Sequence, residues 1–164
     1  MKNIRVAIVG VGSCAKSLVE GVQYYTENPQ DKVGLMYEDI GGYKASDIKF
    51  VVGFDVDKRK VGFPLKEALR AKPNCAMNHV DEITDLAVEK DAMVYSSPVM
   101  DGVADYMLDF PEDVSFRLTD KPAISFEEAV SILKEKHVDV VVNYLPVGSE
   151  EASRFYLDAA LEAG

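Results

Sequence analysis

The stretch that decides the fold is IRVAIVGVGSCAKSLVEGVQYY, residues 4–25. Its first six residues form a short apolar run, rich in β-branched side chains, that ends at Gly10. Such a run predicts a buried parallel strand. Beyond the glycines, apolar residues recur at the spacing of one helical face, and polar residues occupy the other face: Lys16, Ser17, Glu20 and Gln23. This pattern predicts an amphipathic helix.

The turn between that strand and that helix reads Gly10-x-Gly12-x-x-Ala15, which is the dinucleotide-binding fingerprint. Gly10 permits the tight turn, Gly12 lets a pyrophosphate approach the backbone, and Ala15 lets the helix pack closely on the strand. The helix N-terminus offers free N–H groups to the phosphates. The alternative is a plain strand–turn–helix unit that needs glycine for packing only, but the strand–turn–helix context favours a binding loop.

A second part of the same interpretation is Asp55, which follows the apolar run of residues 50–54. An acid at the end of the second strand can accept hydrogen bonds from the adenosine ribose hydroxyls. Its carboxylate would repel the 2′-phosphate of NADP, so the sequence predicts NAD as the cofactor. The interval from the glycine loop exceeds the usual value of about 20 residues, and an irregular insertion at about residues 27–47 accounts for the excess.

Other residues near Asp55 keep alternatives open. Asp55 could simply end the strand in a polar turn, and Asp57 could take the ribose-binding role in its place. Lys58 and Arg59 follow directly, and two cations at this position leave binding of NADP as a second hypothesis.

The rest of the chain alternates strands and helices, which predicts an α/β fold: a Rossmann-type doubly wound parallel sheet in one NAD-binding domain, residues 1–164. A capping box, Ser125 to Glu128, predicts a helix start. In an α/β unit another strand should follow the last helix, so we expect a longer protein with a second, catalytic domain downstream; a natural small domain is the alternative. The remaining predicted elements are a strand at 49–56, a helix at 64–71, a strand at 92–96, a helix to about 136, the strongest strand at 138–144, and a last helix at 149–163 capped by Ser149.

Composition limits the classes of function. The chain has 164 residues and a formal charge of −10, which disfavours general nucleic-acid binding. No apolar segment is long enough to cross a membrane. Cys14 and Cys75 show no paired spacing, so a reducing cytoplasm is expected. His79 and His137 are far apart in sequence, and no metal or catalytic cluster is predicted.

The loop of residues 145–149 follows the strongest strand, at the edge where doubly wound sheets bind ligands. Glu150 and Glu151 come next and would oppose a phosphate. We therefore expect this loop to face a neutral part of the ligand, such as the nicotinamide ribose. The alternative is ordinary helix capping by Ser149 with acidic partners for the helix dipole. Asp101-Gly102 indicates a turn, with a role in substrate binding as the alternative.

The sequence also resembles the myo-inositol-phosphate synthase family, in its shorter prokaryotic branch. The family more often has asparagine where Ser13 stands, and its proteins are about twice this long. The likeness is weakest from about residue 72 to 91. The stretches that carry the resemblance are VAIVGVGSCA (6–15) with GVQYY (21–25), FVVGFDVD (50–57) with VG (61–62), and VDVVVNYLPVGSEEA (138–152) with FY (155–156).

The resemblance implies an isomerase of inositol and phospholipid biosynthesis. It would convert glucose 6-phosphate into myo-inositol phosphate through an NAD-dependent oxidation, an aldol cyclisation and a reduction. The partners would be a small sugar phosphate and further copies of the chain in a homotetramer. By resemblance, the dinucleotide would be held by Gly10, Gly12, Ser13, Cys14, Ala15 and Asp55, with Asn143, Leu145 and Tyr156 near its nicotinamide end.

No catalytic acid or base is assigned within these residues, and the chain by itself is expected to be inactive. Two other hypotheses remain. One is another NAD-dependent dehydrogenase, such as the homoserine dehydrogenase type, with net hydride transfer. The other is a non-catalytic NAD-binding module. Redox balance separates the dehydrogenase from the synthase, because the synthase reaction consumes no NAD in net terms, whereas the module would bind NAD without any turnover.

Overall fold

A four-stranded parallel sheet forms the centre of the molecule in the computed structural model, which describes residues 3–164. Its strands are β1 (Ile4–Val9), β2 (Ile48–Asp55), β3 (Val94–Ser96) and β4 (Val140–Asn143), in the order β3-β2-β1-β4. The helices are α1 (Ser13–Glu27), α2 (Leu65–Arg70), α3 (Phe126–Glu135) and α4 (Glu150–Ala163). The predicted α/β fold is therefore confirmed.

The core has two layers, one on each face of the sheet. Successive side chains of a strand point to opposite faces. On β1, Val6 and Ile8 pack with α1 and α2, whereas Ala7 and Val9 pack with α3 and α4. All four are nearly or completely buried. Because β1 is buried on both faces, it reads as a continuous apolar run in the sequence.

The connections hold little regular structure. Between α1 and β2 the chain forms loops, a bridge between Ile40 and Tyr43, and one 3₁₀ turn at Ala45–Asp47. A second 3₁₀ turn, Asp105–Asp109, lies between β3 and α3, where the sequence predicts no helix or strand. The capping box predicted at α3 is present, with Ser125 and Glu128 bonding each other's backbone N–H. Within residues 3–164, no helix has the length and apolar character needed to cross a membrane.

The strand predicted as the strongest is β4, one of the two short edge strands of the sheet. The sequence predicted residues 138–144, but β4 pairs only with β1 and spans four residues. Val140 is 43% exposed. An apolar run indicates strand propensity and suitability for burial, but it does not determine how many neighbours the strand has.

The helix α1 departs most clearly from the sequence prediction. Its amphipathic pattern would place Lys16, Glu20 and Gln23 in solvent, yet all three are at most 4% exposed. The segment at residues 76–84 lies across this polar face. Lys16 Nζ donates to Ala76 O and Asn78 Oδ1. The amide of Gln23 donates to the carbonyl of Glu82 and accepts from the N–H of Thr84.

Glu20 is the charged centre of this buried polar layer. Its side chain is 0% exposed. One carboxylate oxygen accepts from the N–H of His79 at 2.7 Å, and the other pairs with the Arg70 guanidinium at 3.0 Å. The carboxylate thereby ties α1 to α2 and to the irregular segment that follows α2.

We predict that Glu20→Gln destabilises the fold by about 2 kcal/mol, because hydrogen bonds to a charged, buried group are the stronger ones. Glu38→Gln is the control, since Glu38 pairs with Lys32 and both side chains are more than half exposed. Such a surface pair contributes about 1 kcal/mol or less. Urea denaturation of the two variants measures the difference. Equal, small losses would show that the buried carboxylate does not anchor the segment.

Candidate functional site

The carboxyl ends of the parallel strands border a cavity of about 300 Å³. Parallel sheets of this kind bind ligands at that edge. Five residues predicted from sequence line the cavity: Gly10, Gly12, Asp55, Leu145 and Tyr156. The other wall consists of the segment after β3, including Pro98, Met100 and Val103, with Phe116 nearby.

The two glycines of the loop have different structural roles. Gly10 has φ +86°, and a Cβ there would lie 3.0 Å from the backbone of Tyr144, so the turn requires glycine. A Cβ on Gly12 would meet nothing within 4 Å. Gly12 borders the cavity, and this open space is where a phosphate could approach the backbone.

The N-terminus of α1 has unused donors. Within residues 3–164, no acceptor bonds the N–H groups of Ser13, Cys14 or Ala15. The first turn also contains no acidic residue. These donors and the helix dipole together make an anion-binding position.

The side chains of these three residues lie outside the cavity lining. The hydroxyl of Ser13 accepts from the N–H of Cys75 at 3.1 Å. Cys14 is exposed, and Ala15 is fully buried in the core. Any contact of this turn with a ligand would therefore involve the backbone, which is the role that the fingerprint assigns to it.

Asp55 fixes the geometry of the turn that follows β2. One carboxylate oxygen accepts from the N–H of Val11, at 2.8 Å, and the other accepts from those of Val56 and Asp57. A carboxylate offers about four acceptor positions. Three are taken by the backbone, so Asp55 retains capacity for a ligand hydroxyl at the cavity wall.

A residue that the sequence analysis missed lies beside Asp55. Lys60 is 4% exposed, and its Nζ donates to the carbonyl of Val11 at 2.8 Å and to Asn74 Oδ1 at 3.0 Å. It lies 3.6 Å from the Asp55 carboxylate. In the sequence Lys60 is one of three consecutive basic residues in a turn, and nothing local separates it from its two neighbours.

The alternatives to Asp55 lie outside the cavity lining. The Asp57 side chain is fully buried and pairs with Arg59 at 2.5 Å. Burial opposes ionisation of Asp57, but the hydrogen bonds from Arg59 outweigh it and keep the pKa below its usual value. Lys58 pairs with Glu112. Asp57 is thus paired with a neighbouring cation and lies outside the cavity lining, whereas Asp55 lines the cavity. The geometry therefore favours Asp55 over Asp57 as a ligand-facing acid.

Asn143 serves the turn after β4. Its amide donates to the hydroxyl of Ser153 at 2.9 Å and accepts from the N–H of Leu145 at 2.9 Å. Asn143 is not part of the cavity lining, whereas Leu145 is. The amide thus positions the loop that reaches the cavity.

Tyr156 lines the cavity and is 2% exposed. Its hydroxyl lies 2.5 Å from that of Ser97, which lines the same cavity. Burial raises the pKa of Tyr156 above its usual value. The phenol is therefore neutral at physiological pH and can act only as a neutral hydrogen-bonding group.

The N-terminus of α4 is capped by a residue that the sequence analysis took for part of a turn. Ser149 occupies the cap position but makes no capping bond. Instead, the Asp101 carboxylate accepts from the N–H of Glu151 at 2.8 Å and of Ala152 at 3.3 Å. The predicted capping by Ser149 is wrong because the actual cap comes from a residue distant in sequence.

We predict that Asp101→Ala lowers the melting temperature by about 2–4 °C at neutral pH. The bond from the N–H of Glu151 holds the pKa of Asp101 below its usual value. This stabilisation is therefore full above the ordinary aspartate pKa of about 3.9 and is lost as the pH falls through the lower, folded-state value.

Melting curves from pH 7 to pH 3 measure this effect. Asp158→Ala, at an exposed position on α4, is the control for the change in net charge. The gap between wild type and the Asp101 variant should narrow at the acid end. A gap that stayed constant with pH would rule out a capping carboxylate.

The sheet order, the glycine loop after β1 and the cavity at the strand ends together define a Rossmann-type α/β unit. No family model matches the chain. Over 163 residues, 98% of its length, the chain is 44% identical to the inositol-3-phosphate synthases of Mycolicibacterium smegmatis and Mycobacterium tuberculosis. It is 42% identical over 164 residues to that of Corynebacterium glutamicum. The chain is thus a homologue of inositol-3-phosphate synthases, and the resemblance seen in the sequence is confirmed.

The match covers only part of these relatives, since the chain spans about two-fifths of their length, 41%. Solved structures show the same proportion. The crystal structure of Ari2 has a TM-score of 0.74 at 28% identity, over 98% of this chain and 43% of that one. A myo-inositol-1-phosphate synthase-related protein from Thermotoga maritima has a TM-score of 0.66 at 23% identity, over 98% and 44%, and shows the shared fold.

Proposed function

We propose that this chain binds NAD in the cavity at the strand ends and forms the cofactor-binding part of an inositol-phosphate synthase. The observation that carries the proposal is the loop at Gly12, which opens onto the cavity where a Cβ would meet nothing. Asp55 lines the same cavity, and α1 with its free N–H groups begins directly after Gly12. The names of the homologous synthases support the reaction class.

The phosphates would be held by the backbone at Gly12 and by the first turn of α1. Main-chain donors and a helix dipole bind anions without a basic side chain. Lys60 also lines the cavity, but its ammonium is bonded to the carbonyl of Val11 and to Asn74 Oδ1, so it would act mainly by holding the loop in place.

Asp55 would accept a hydrogen bond from the adenosine ribose. The carboxylate would disfavour NADP, whose 2′-phosphate would approach the same oxygens. The nicotinamide end would lie toward Leu145 and Tyr156. The neutral phenol of Tyr156 and the apolar wall would exclude water there, and the bound NAD would supply hydride transfer.

The proposed substrate is glucose 6-phosphate and the proposed product myo-inositol phosphate. A sugar phosphate requires convergent cations, and proton transfers require a positioned acid and base. Lys60 and Lys16 are buried and bonded to protein groups. The proposal therefore places the catalytic groups in the part of the synthases that this chain does not match. It also includes a homo-oligomer and a cytoplasmic setting, with which the exposed free thiols Cys14 and Cys75 agree.

We predict that the chain binds NAD more tightly than NADP in titration calorimetry, and that Asp55→Asn weakens NAD binding roughly tenfold to hundredfold, as expected for loss of one charge-assisted hydrogen bond. Asparagine can keep an acceptor for the N–H of Val11, but its NH2 would then face the N–H groups of Val56 and Asp57, so circular dichroism must first show that the variant is folded. The preference for NAD over NADP should also diminish. Tighter binding of NADP by the wild type would overturn the role given to Asp55.

Gly12→Val tests whether the glycine loop holds the pyrophosphate. The added side chain would lie in open space at a residue that borders the cavity, so the fold should persist while NAD binding is lost. Circular dichroism checks the fold. Normal NAD affinity in a folded Gly12→Val variant would show that the loop does not hold the pyrophosphate.

We also predict that residues 1–164 alone form no inositol phosphate from glucose 6-phosphate and NAD. The full-length synthase of Mycolicibacterium smegmatis is the positive control. Product is measured as inositol phosphate, and NADH is followed by absorbance. Turnover by the 164 residues would contradict the placement of the catalytic groups, and accumulation of NADH would instead indicate a dehydrogenase with net hydride transfer.

A further inference from the structure

Ser149 has a buried hydroxyl without a partner. The residue is 4% exposed, and it borders the cavity immediately before α4. Within residues 3–164, only two buried side-chain polar atoms lack a hydrogen bond, and one of them is Ser149 Oγ. Proteins rarely leave such a group unpaired, because it has given up its bond to water. A ligand in the cavity would supply the missing partner.

The Ser149 hydroxyl also makes no capping bond to α4, unlike the serine before α3. At α3 the hydroxyl of Ser125 accepts from the N–H of Glu128, as a serine before a helix ordinarily does. At α4 the corresponding donors are occupied by the Asp101 carboxylate, which approaches from the segment after β3. Ser149 Oγ therefore does not cap α4, although it belongs to the residue in the usual capping position.

Gly102 lies directly beside this hydroxyl. A Cβ on Gly102 would lie 2.0 Å from Ser149 Oγ, so only glycine fits beside it. Gly102 and Ser149 both line the cavity, so the hydroxyl lies at the cavity wall, and it can take three staggered positions about the Cα–Cβ bond without movement of the backbone.

From this geometry we infer that Ser149 is a ligand-binding residue whose hydroxyl bonds an uncharged group in the nicotinamide half of the dinucleotide. The group is either a hydroxyl of the nicotinamide ribose or the carboxamide. A phosphate is disfavoured there, because Asp101, Glu150 and Glu151 surround the start of α4 with carboxylates. This inference rests on the proposed function and extends it to one side chain.

The test is titration calorimetry of wild type and Ser149→Ala with NAD, ADP-ribose and AMP. We expect NAD affinity to fall about tenfold, the effect of one hydrogen bond, and AMP affinity to stay unchanged. Loss with both NAD and ADP-ribose identifies the ribose hydroxyl. Loss with NAD alone identifies the carboxamide. Unchanged NAD affinity, or an equal loss with AMP, would overturn the inference.

A second measurement separates binding from stability. Ser149→Ala should leave the melting temperature unchanged or raise it, since it removes an unsatisfied hydroxyl and no cap. Ser125→Ala is the matched control, which should lower the melting temperature by about 2–4 °C and leave NAD affinity intact. An equal drop for both variants would make Ser149 a structural residue. If wild type bound no NAD, the proposed function would fail, and this inference would fail with it.

Discussion

The two backbone polar groups of Val11 are the point on which the site depends. The N–H donates to Asp55 at the end of β2, and the carbonyl accepts from Lys60 and from the Asn74 amide. These bonds join the glycine loop, the turn after β2 and the segment after α2. Because the side chain of Val11 is also fully buried, the loop cannot shift without exposing apolar surface and breaking all three bonds. The opening at Gly12 and the start of α1 are fixed as a consequence.

A similar principle orders the irregular segment that covers α1. Burying polar side chains is unfavourable unless each one finds partners, and Lys16, Glu20 and Gln23 all do so. Most of those partners are backbone groups at residues 76–84, which have no regular ladder of their own. Side chains of α1 thus provide hydrogen-bond partners for the backbone of that segment. The helix packs against the sheet on one face and against the segment on the other.

Local sequence patterns predicted the parts of the fold that depend on local physics. β1 was identified at its observed bounds, and the capping box of α3 was identified from a four-residue pattern. The failures involve partners distant in sequence. Lys60 reaches a carbonyl 49 residues away, and Asp101 caps a helix whose first turn lies 50 residues further on. Neither residue carries a local signal, because a lysine in a turn and Asp-Gly in a loop are ordinary features of solvated chain.

The two helix N-termini at this edge of the sheet differ electrostatically, so the two ends of the cavity favour different chemical groups. At α1 the N–H groups of the first turn have no acceptor among the residues that the structure describes, the first turn has no acid, and the buried Lys60 bonds the carbonyl of Val11 in the loop. At α4 the carboxylate of Asp101 occupies the equivalent donors. In a chain of net charge −10, only the first end favours an anion. A ligand with phosphates toward one end and neutral groups toward the other would therefore bind in a single orientation.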